Sequence, residues 1–176
     1  MRPAQLLTVL EREFQAALHG QHTPVMLWGP PGVGKSQMVA HIAERHGMPV
    51  IDIRLSQMEP SDLRGIPFKS GEEVVWAVPA MLPSVRRHGE EGILFLDEIA
   101  ELPLNMQAKF LRLVEYGECQ RVGTNQIEKV DVRIFAATHT NLLKRIDQGV
   151  FRQDLFYRLG VVTLRLPTLH ERRQDI

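Results

Sequence analysis

Eight consecutive residues, Gly29-Pro30-Pro31-Gly32-Val33-Gly34-Lys35-Ser36, satisfy the pattern G-x-x-x-x-G-K-[ST] at every fixed position. The run lies between an apolar stretch, Val25 to Trp28, and a segment of helical pattern, Gln37 to Arg45, which is the context a phosphate-binding loop requires. Glycines let the backbone curl until successive N–H groups converge on an anion. Lys35 can then reach the outer phosphates, and the Ser36 hydroxyl can hold Mg²⁺. The helix that opens here adds the positive end of its dipole. The cradle is thus read as Gly29, Pro30, Pro31, Gly32, Val33, Gly34, Lys35, Ser36 and Gln37. A Gly/Pro turn that merely carried a lysine would need neither flanking element.

A second pattern, Ile93-Leu94-Phe95-Leu96-Asp97-Glu98, delivers two carboxylates at the end of an apolar run. In a parallel sheet that end faces the same crevice as the phosphate loop. Asp97 would orient Mg²⁺ and Glu98 would polarise a water attacking the γ-phosphate. Many strands end in acidic turn residues, so the pair gains its meaning from the loop at Gly29 to Ser36. A third run, Ala136 to Asn141, follows another apolar stretch. Thr138 is the best-placed residue there to hydrogen-bond the γ-phosphate or the water, with His139 second. Equally, these residues can cap the next helix, as Thr and Asn often do. A fourth run, Phe151 to Leu159, carries Arg152 and Arg158, which six residues apart share no helix face well. A fixed guanidinium can neutralise charge developing on a γ-phosphate in a neighbouring subunit. On the residues alone, solvated surface arginines are the favoured reading.

These groups need a frame. With 176 residues, 44% of them hydrophobic, the chain suits one α/β domain. Four apolar runs besides Val25 to Trp28 read as buried strands: Val50 to Leu55, Ile93 to Leu96, Val132 to Ala137, and Val161 to Leu166. Helical patterns at Gly34 to Arg45 and Leu104 to Tyr116 alternate with them, which predicts a mostly parallel five-stranded sheet covered on both faces. Leu6, Leu7, Leu10, Phe14, Ala17 and Leu18 share one face of an opening helix that Gly20 ends. Two stretches break the alternation. Gly71 to Pro83, with Val74-Val75-Trp76 and Pro79, and Glu118 to Val130, a hairpin around Gly123-Thr124-Asn125, read as insertions.

Bulk properties exclude several classes. Lysine plus arginine equals aspartate plus glutamate, which argues against holding nucleic acid through overall charge. One cysteine, Cys119, permits no intrachain disulfide and is expected to pack in the hairpin. The seven histidines show no ligand spacing, and no zinc site is expected. No apolar stretch approaches ~20 residues and no signal peptide is visible, so a soluble cytoplasmic protein is expected. Trp28 and Trp76 read as packing residues, although Trp28 directly precedes the loop.

Together the motifs resemble the AAA+ class of P-loop ATPases. From Ile93 to Ile176 the chain is similar to bacterial enhancer-binding proteins, the ATPases that remodel sigma-54 RNA polymerase. The likeness rests on Leu-Phe-Leu-Asp-Glu-Ile-Ala-Glu-Leu-Pro at 94 to 103, Gln-Ala-Lys-Phe-Leu-Arg at 107 to 112, Gln-Arg-Val-Gly at 120 to 123, Phe-Arg-Gln-Asp-Leu at 151 to 155, and Leu-Pro-Thr-Leu-His-Glu-Arg at 166 to 172. Residues 21 to 92 look more like MoxR-type AAA+ ATPases, through Arg54-Leu55-Ser56-Gln57, Asp62-Leu63-Arg64-Gly65 and the insert at 76 to 83. The resemblance implies one nucleotide-binding domain, 1–176, with an N-terminal helix (1–20), a MoxR-like half (21–92) and an enhancer-binding-protein-like half (93–176). Such a change of likeness near Gly92 to Glu98 implies a recombined or shortened chain.

What the resemblance implies for fold is a three-layer P-loop NTPase core lacking the C-terminal helical lid. For function it implies binding of ATP and ADP with Mg²⁺, ATP hydrolysis, and a homo-oligomeric ring, a hexamer, in which Arg152 and Arg158 act across the subunit boundary. Lys35, Glu98 and Thr138 would complete the catalytic set, with Ser36 and Asp97 on the metal. The family's G-A-F-T-G-A loop, which grips the sigma factor, is absent, so that contact is in doubt, and no regulatory or DNA-binding domain is expected. Without a lid, the alternative is a nucleotide-binding module that does not turn over.

Overall fold

The computed structural model describes residues 3–17, 23–58, 66–70, 73–77, 91–120 and 127–171. The expected end of the first helix at Leu18 to Gly20, the Asp62 to Gly65 run, the Pro79 and Pro83 insert, and the turn at Gly123 to Asn125 lie outside them. So does the Cys119 side chain.

Five strands form the central sheet: β1 (Val25–Trp28), β2 (Val50–Arg54), β5 (Glu91–Asp97), β8 (Asp131–Thr138) and β9 (Val162–Arg165). Their order is β2-β5-β8-β1-β9, and every pairing is parallel. The five strands read from apolar runs are these five. α1 (Pro3–Ala17) precedes them, and between them in the chain lie α2 (Lys35–Arg45), α3 (Leu104–Tyr116), α4 (Leu142–Asp147) and α5 (Gln153–Leu159). Off this sheet stand two antiparallel hairpins: β3 (Ile66–Ser70) with β4 (Glu73–Ala77), which begins before the insertion expected at Gly71, and β6 (Glu118–Gln120) with β7 (Ile127–Lys129), within the stretch read as a hairpin.

Side-chain alternation divides the interior into two cores. Val25, Leu27, Ile93, Phe95, Phe135 and Ala137 pack with Leu10 and Phe14 of α1 and Val39 and Ile42 of α2. Their sequence neighbours Met26, Leu94, Leu96, Ile134 and Ala136 point the other way, against Met106, Phe110 and Leu113 of α3 and Leu155 and Leu159 of α5. A strand buried on both faces must be apolar at successive positions, which is why β1, β5 and β8 read as continuous runs. Burying each such side chain contributes roughly 1.5–3 kcal/mol.

The edge strands differ from the expectation of full burial. In β2 only Ile51 and Ile53 are buried, while Val50, Asp52 and Arg54 face outward. In β9 Leu164 is buried and Thr163 and Arg165 are exposed. Each edge strand therefore leans on one core, β2 on the α3/α5 side and β9 on the α1/α2 side.

Parallel pairing brings all five carboxyl ends to one edge. Trp28 stands opposite both Thr138 and Arg165, and Arg54 stands opposite Asp97. That edge is where ligands bind in open α/β sheets.

Candidate nucleotide site

The loop between β1 and α2 leaves the sheet at Gly29, whose N–H donates to Thr138 O at 3.1 Å. Gly32 and Gly34 have φ of +78° and +91°, a backbone region costly for residues with a Cβ. These two reversals curl the chain back over the end of β1. Gly34 caps α2 without any side-chain hydrogen bond. The first intrahelical bond runs from Met38 N to Gly34 O at 3.0 Å, so the N–H groups of Lys35, Ser36 and Gln37 are ones the helix does not use itself. They and the dipole make the start of this 11-residue helix suited to an anion.

Lys35 is buried and donates Nζ–H to Gly29 O at 2.8 Å and Pro30 O at 3.1 Å. Its charge thereby sits inside the curl of the loop. It is also close enough to Asp97 to favour the ionised carboxylate there.

Asp97 ends β5. Burial first, then the charge of Glu98, and further the charge of Asp52, hold its carboxyl above the ordinary range, with Lys35 opposing. Among the described residues, no hydrogen-bond partner reaches its buried Oδ1. A buried, partnerless carboxylate oxygen facing a phosphate loop is a fitting ligand for a cation, and Ser36 stands at the start of α2 on the same edge.

The elevation of Asp97 has a consequence for stability. A carboxyl whose folded-state pKa exceeds its unfolded one makes the folded chain bind more protons in the window between the two. Its penalty is therefore present in full above the folded value and relieved as pH falls toward the unfolded value. Asp97→Asn is expected to raise the Tm of the nucleotide-free chain at neutral pH by a few degrees. If Asp97 holds the metal, the same change should reduce any upward Tm shift given by Mg-ATP. Thermal melts between about pH 5 and 8, with and without Mg-ATP, check both; a lowered Tm in the nucleotide-free variant would contradict the first.

Glu98 has φ +57° and ψ +52°, and it is the one non-glycine with positive φ among the described residues. Such a conformation costs of order 1 kcal/mol or more and persists where its surroundings fix it. It turns the chain abruptly from β5 into the short helical turn Ile99–Glu101, leaving the Glu98 side chain at the sheet edge. Oε2 lies 2.7 Å from His139 Nδ1. An ionised carboxylate can only accept, so the ring nitrogen donates.

The run after β8 divides its tasks. Thr138 is fully buried, and its Oγ1 accepts from Thr140 N at 3.0 Å. Asn141 caps α4, accepting from Leu143 N and Lys144 N. His139, half exposed, is the residue that reaches Glu98. Of the two side chains considered for a sensing position, the geometry joins His139 to the carboxylate and turns the Thr138 hydroxyl back onto its own turn. Trp28 supports the same corner, donating Nε1–H to Thr140 O at 3.3 Å while Arg165 lies over its ring at 4.9 Å.

Among the described residues, no hydrogen bond or ion pair brings the two arginines to this edge. Arg152 precedes α5 and makes a two-point contact with Asp154, Nε to Oδ1 at 3.0 Å and Nη2 to Oδ2 at 2.6 Å. That bond holds the Asp154 carboxyl below its ordinary value. Arg158, in the last turn of α5, pairs with Glu115 of α3 at 2.8 Å. Both guanidinium groups remain substantially exposed.

One polar residue was missed by the reading of motifs. Gln107 lies on the buried face of α3 with Met106, Phe110 and Leu113 and is fully enclosed. The signal was available: a primary amide at a core position of an amphipathic helix must find buried partners.

Comparison with known proteins places these features. The Sigma-54 interaction domain family matches residues 83–165. The DNA-binding transcriptional regulator NtrC of Salmonella typhimurium is 40% identical over 157 residues, covering 86% of this chain and 33% of that protein. The nitric oxide reductase transcription regulator NorR1 of Cupriavidus necator is 38% identical over 157 residues, covering 87% and 30%. A crystal structure of NtrX from Brucella abortus in complex with ATP superposes with a TM-score of 0.73 at 32% identity, covering 99% of this chain and 39% of that one. The NtrX complex with ADP gives 0.71 at 35% identity, covering 88% and 35%.

The chain spans about a third of the length of these curated relatives. Residues 93–176 make up less than half of the sequence, so alignments covering 86% of it carry the likeness to the activators well into residues 21–92. The likeness is therefore not confined to the second half. With an all-parallel β2-β5-β8-β1-β9 sheet, a glycine-rich loop closing on Lys35, and Asp97-Glu98 at the same edge, the chain has an AAA+ P-loop fold and resembles the sigma-54 activators.

Proposed function

We propose that this chain binds ATP with Mg²⁺ between Gly29 and Gln37, hydrolyses it, and couples nucleotide state to remodelling of a protein partner in the cytoplasm. The observation that carries the reading is the common edge on which Lys35, Asp97 and Glu98 meet, with Lys35 near enough to bias Asp97 and Glu98 held in a left-handed turn. Phosphate oxygens replace the Gly29 and Pro30 carbonyls as acceptors for Lys35 Nζ–H. The free N–H groups at the head of α2 hold the remaining phosphate charge. Ser36 and Asp97 would hold the metal, which supplies charge neutralisation on the phosphates.

Glu98 accepts a proton from the attacking water and orients it toward the γ-phosphorus. His139 fixes which way that carboxylate points. Arg152 and Arg158 leave their intrasubunit carboxylates and enter the site of the next subunit in a ring, proposed as a hexamer. ATP turnover that requires Mg²⁺ and rises steeply with protein concentration tests this. Nucleotide binding without turnover at any concentration would leave only a binding module.

A second reading, activation of sigma-54 polymerase, is favoured by the family match at 83–165 and the activators among the relatives. The G-A-F-T-G-A run does not occur in the sequence. Failure to bind the sigma factor in the presence of an ATP transition-state analogue would exclude that role. The division at residue 92, with a MoxR-like first half, is likewise proposed from the Arg54 to Gln57 and Asp62 to Gly65 runs. A single cooperative melt of the full chain, shifted upward by Mg-nucleotide, is the behaviour expected if both halves form one domain.

A further inference from the structure

The backbone that presents Arg152 is held by a side chain with no part in the phosphate site. Gln107 is fully buried. A primary amide offers two N–H donors and an oxygen with two lone pairs. Gln107 uses both nitrogen donors, to Leu102 O at 2.8 Å and to Val150 O at 2.9 Å. Its Oε1 accepts from Arg152 N at 2.7 Å.

The three partners belong to two functional stretches. Leu102 closes the helical turn Ile99–Glu101 that follows Glu98 directly. Val150 and Arg152 bracket the approach to α5. A second link joins the same stretches: Arg145 Nη2 meets Glu101 Oε1 at 2.7 Å, and Arg145 O accepts from Val150 N and Phe151 N. Phe151, between the two clamped residues, is buried in the α3/α5 core. The stretch carrying Arg152 is thus fastened to the stretch leaving Glu98 by one buried amide and one surface ion pair.

We propose that Gln107 is a positioning residue that sets the placement of Arg152 relative to Glu98 within one subunit, so that each subunit presents its arginine to a neighbour in a fixed orientation. This rests on the reading that Arg152 acts in trans. Buried hydrogen bonds in a low-dielectric interior hold geometry stiffly, and three of them on one amide leave the Arg152 backbone little freedom. Arg152 itself, released from Asp154, then swings from a fixed base.

The test uses the full chain carrying Gln107→Met, which keeps length and apolar volume and removes all three bonds. Turnover at saturating ATP is expected to fall about 10- to 100-fold, the range for a misplaced catalytic group, with KM for ATP and the Mg-ATP-induced melting shift unchanged. Mixing this variant with Glu98→Gln should restore part of the turnover, because Glu98→Gln subunits lend a well-placed arginine to sites that retain Glu98. Loss of three buried hydrogen bonds lowers the melting temperature in either case, whereas a fold that is merely weakened would gain nothing from the mixture.

Full turnover in folded Gln107→Met, or a loss that mixing does not relieve, overturns the proposal. If Gln107→Met gives no cooperative melt, Glu101→Ala, which cuts the exposed link, takes its place. It is expected to lose turnover a few-fold with the same rescue, and full turnover in it overturns the proposal. Arg152→Ala run alongside separates the two ideas: if it retains turnover, the trans-acting reading has failed and not the clamp alone.

Discussion

Glu98→Gln is expected to lower ATP turnover by roughly 10²- to 10⁴-fold, the range for removing a positioned general base, while nucleotide binding persists. The change removes a proton acceptor and little else. Glutamine has the shape of glutamate and can occupy the same left-handed position, so the turn from β5 into Ile99–Glu101 survives. It can still meet His139 Nδ1 through its amide oxygen, so the neighbouring turn after β8 keeps its contact. The phosphate contacts lie elsewhere, on Lys35 and the first N–H groups of α2. Binding is read as a ligand-induced rise in apparent stability, about 2.7 kcal/mol at a ligand concentration 100 times Kd, and this rise should be equal in the two proteins. Retained turnover would remove Glu98 from the mechanism. Loss of the melting shift would mean that the residue holds nucleotide or structure instead.

Different parts of this molecule were legible in the sequence to different degrees, and the reason is physical range. The loop at Gly29 to Ser36 was readable because its chemistry is local: glycines at positive φ, a lysine folding back five or six residues, and a helix start all lie within one short run. The five strands were readable because burial on two faces leaves an unbroken apolar run. Arg133 shows the limit of that rule. It sits within the apolar β8 run, buried, with its guanidinium over the Phe14 ring at 4.5 Å and a hydrogen bond to Met48, an accommodation no periodicity reveals. The edge strands were read as fully buried because edge position is a property of the sheet, not of the strand. Contacts across long separations were least legible. Glu98 with His139, and Gln107 with Val150 and Arg152, depend on β5, β8 and α3 being brought together by the fold. The spacing of Thr138 and His139 could not say which would face the carboxylate. The register sets Ala136 beside Leu96, and the left-handed turn at Glu98, where β5 has ended, brings that carboxylate to His139.

Arg152→Ala and Arg158→Ala are each expected to lower turnover by about 10³- to 10⁵-fold if each supplies charge to a neighbour's γ-phosphate, the range for arginines that act in this way. Within one subunit neither arginine contacts Lys35, Asp97 or Glu98, and each is engaged by a carboxylate of its own chain, Asp154 or Glu115. Exposed ion pairs of this kind contribute little to stability, so the melting temperature should barely move and the loss cannot be assigned to unfolding. A cis role and a trans role then predict different mixtures. If the arginines served their own subunit's site, mixing Arg152→Ala with Glu98→Gln would join two kinds of dead site and no turnover would appear. If they serve the neighbour, interfaces form in which a Glu98→Gln subunit donates an intact Arg152 to an Arg152→Ala subunit that retains Glu98. A random mixture of equal parts should then recover on the order of a quarter of wild-type turnover, since each partner at an interface is drawn independently and one ordered pairing in four is competent. The recovery should depend on total protein concentration, because the competent site exists only where two chains meet.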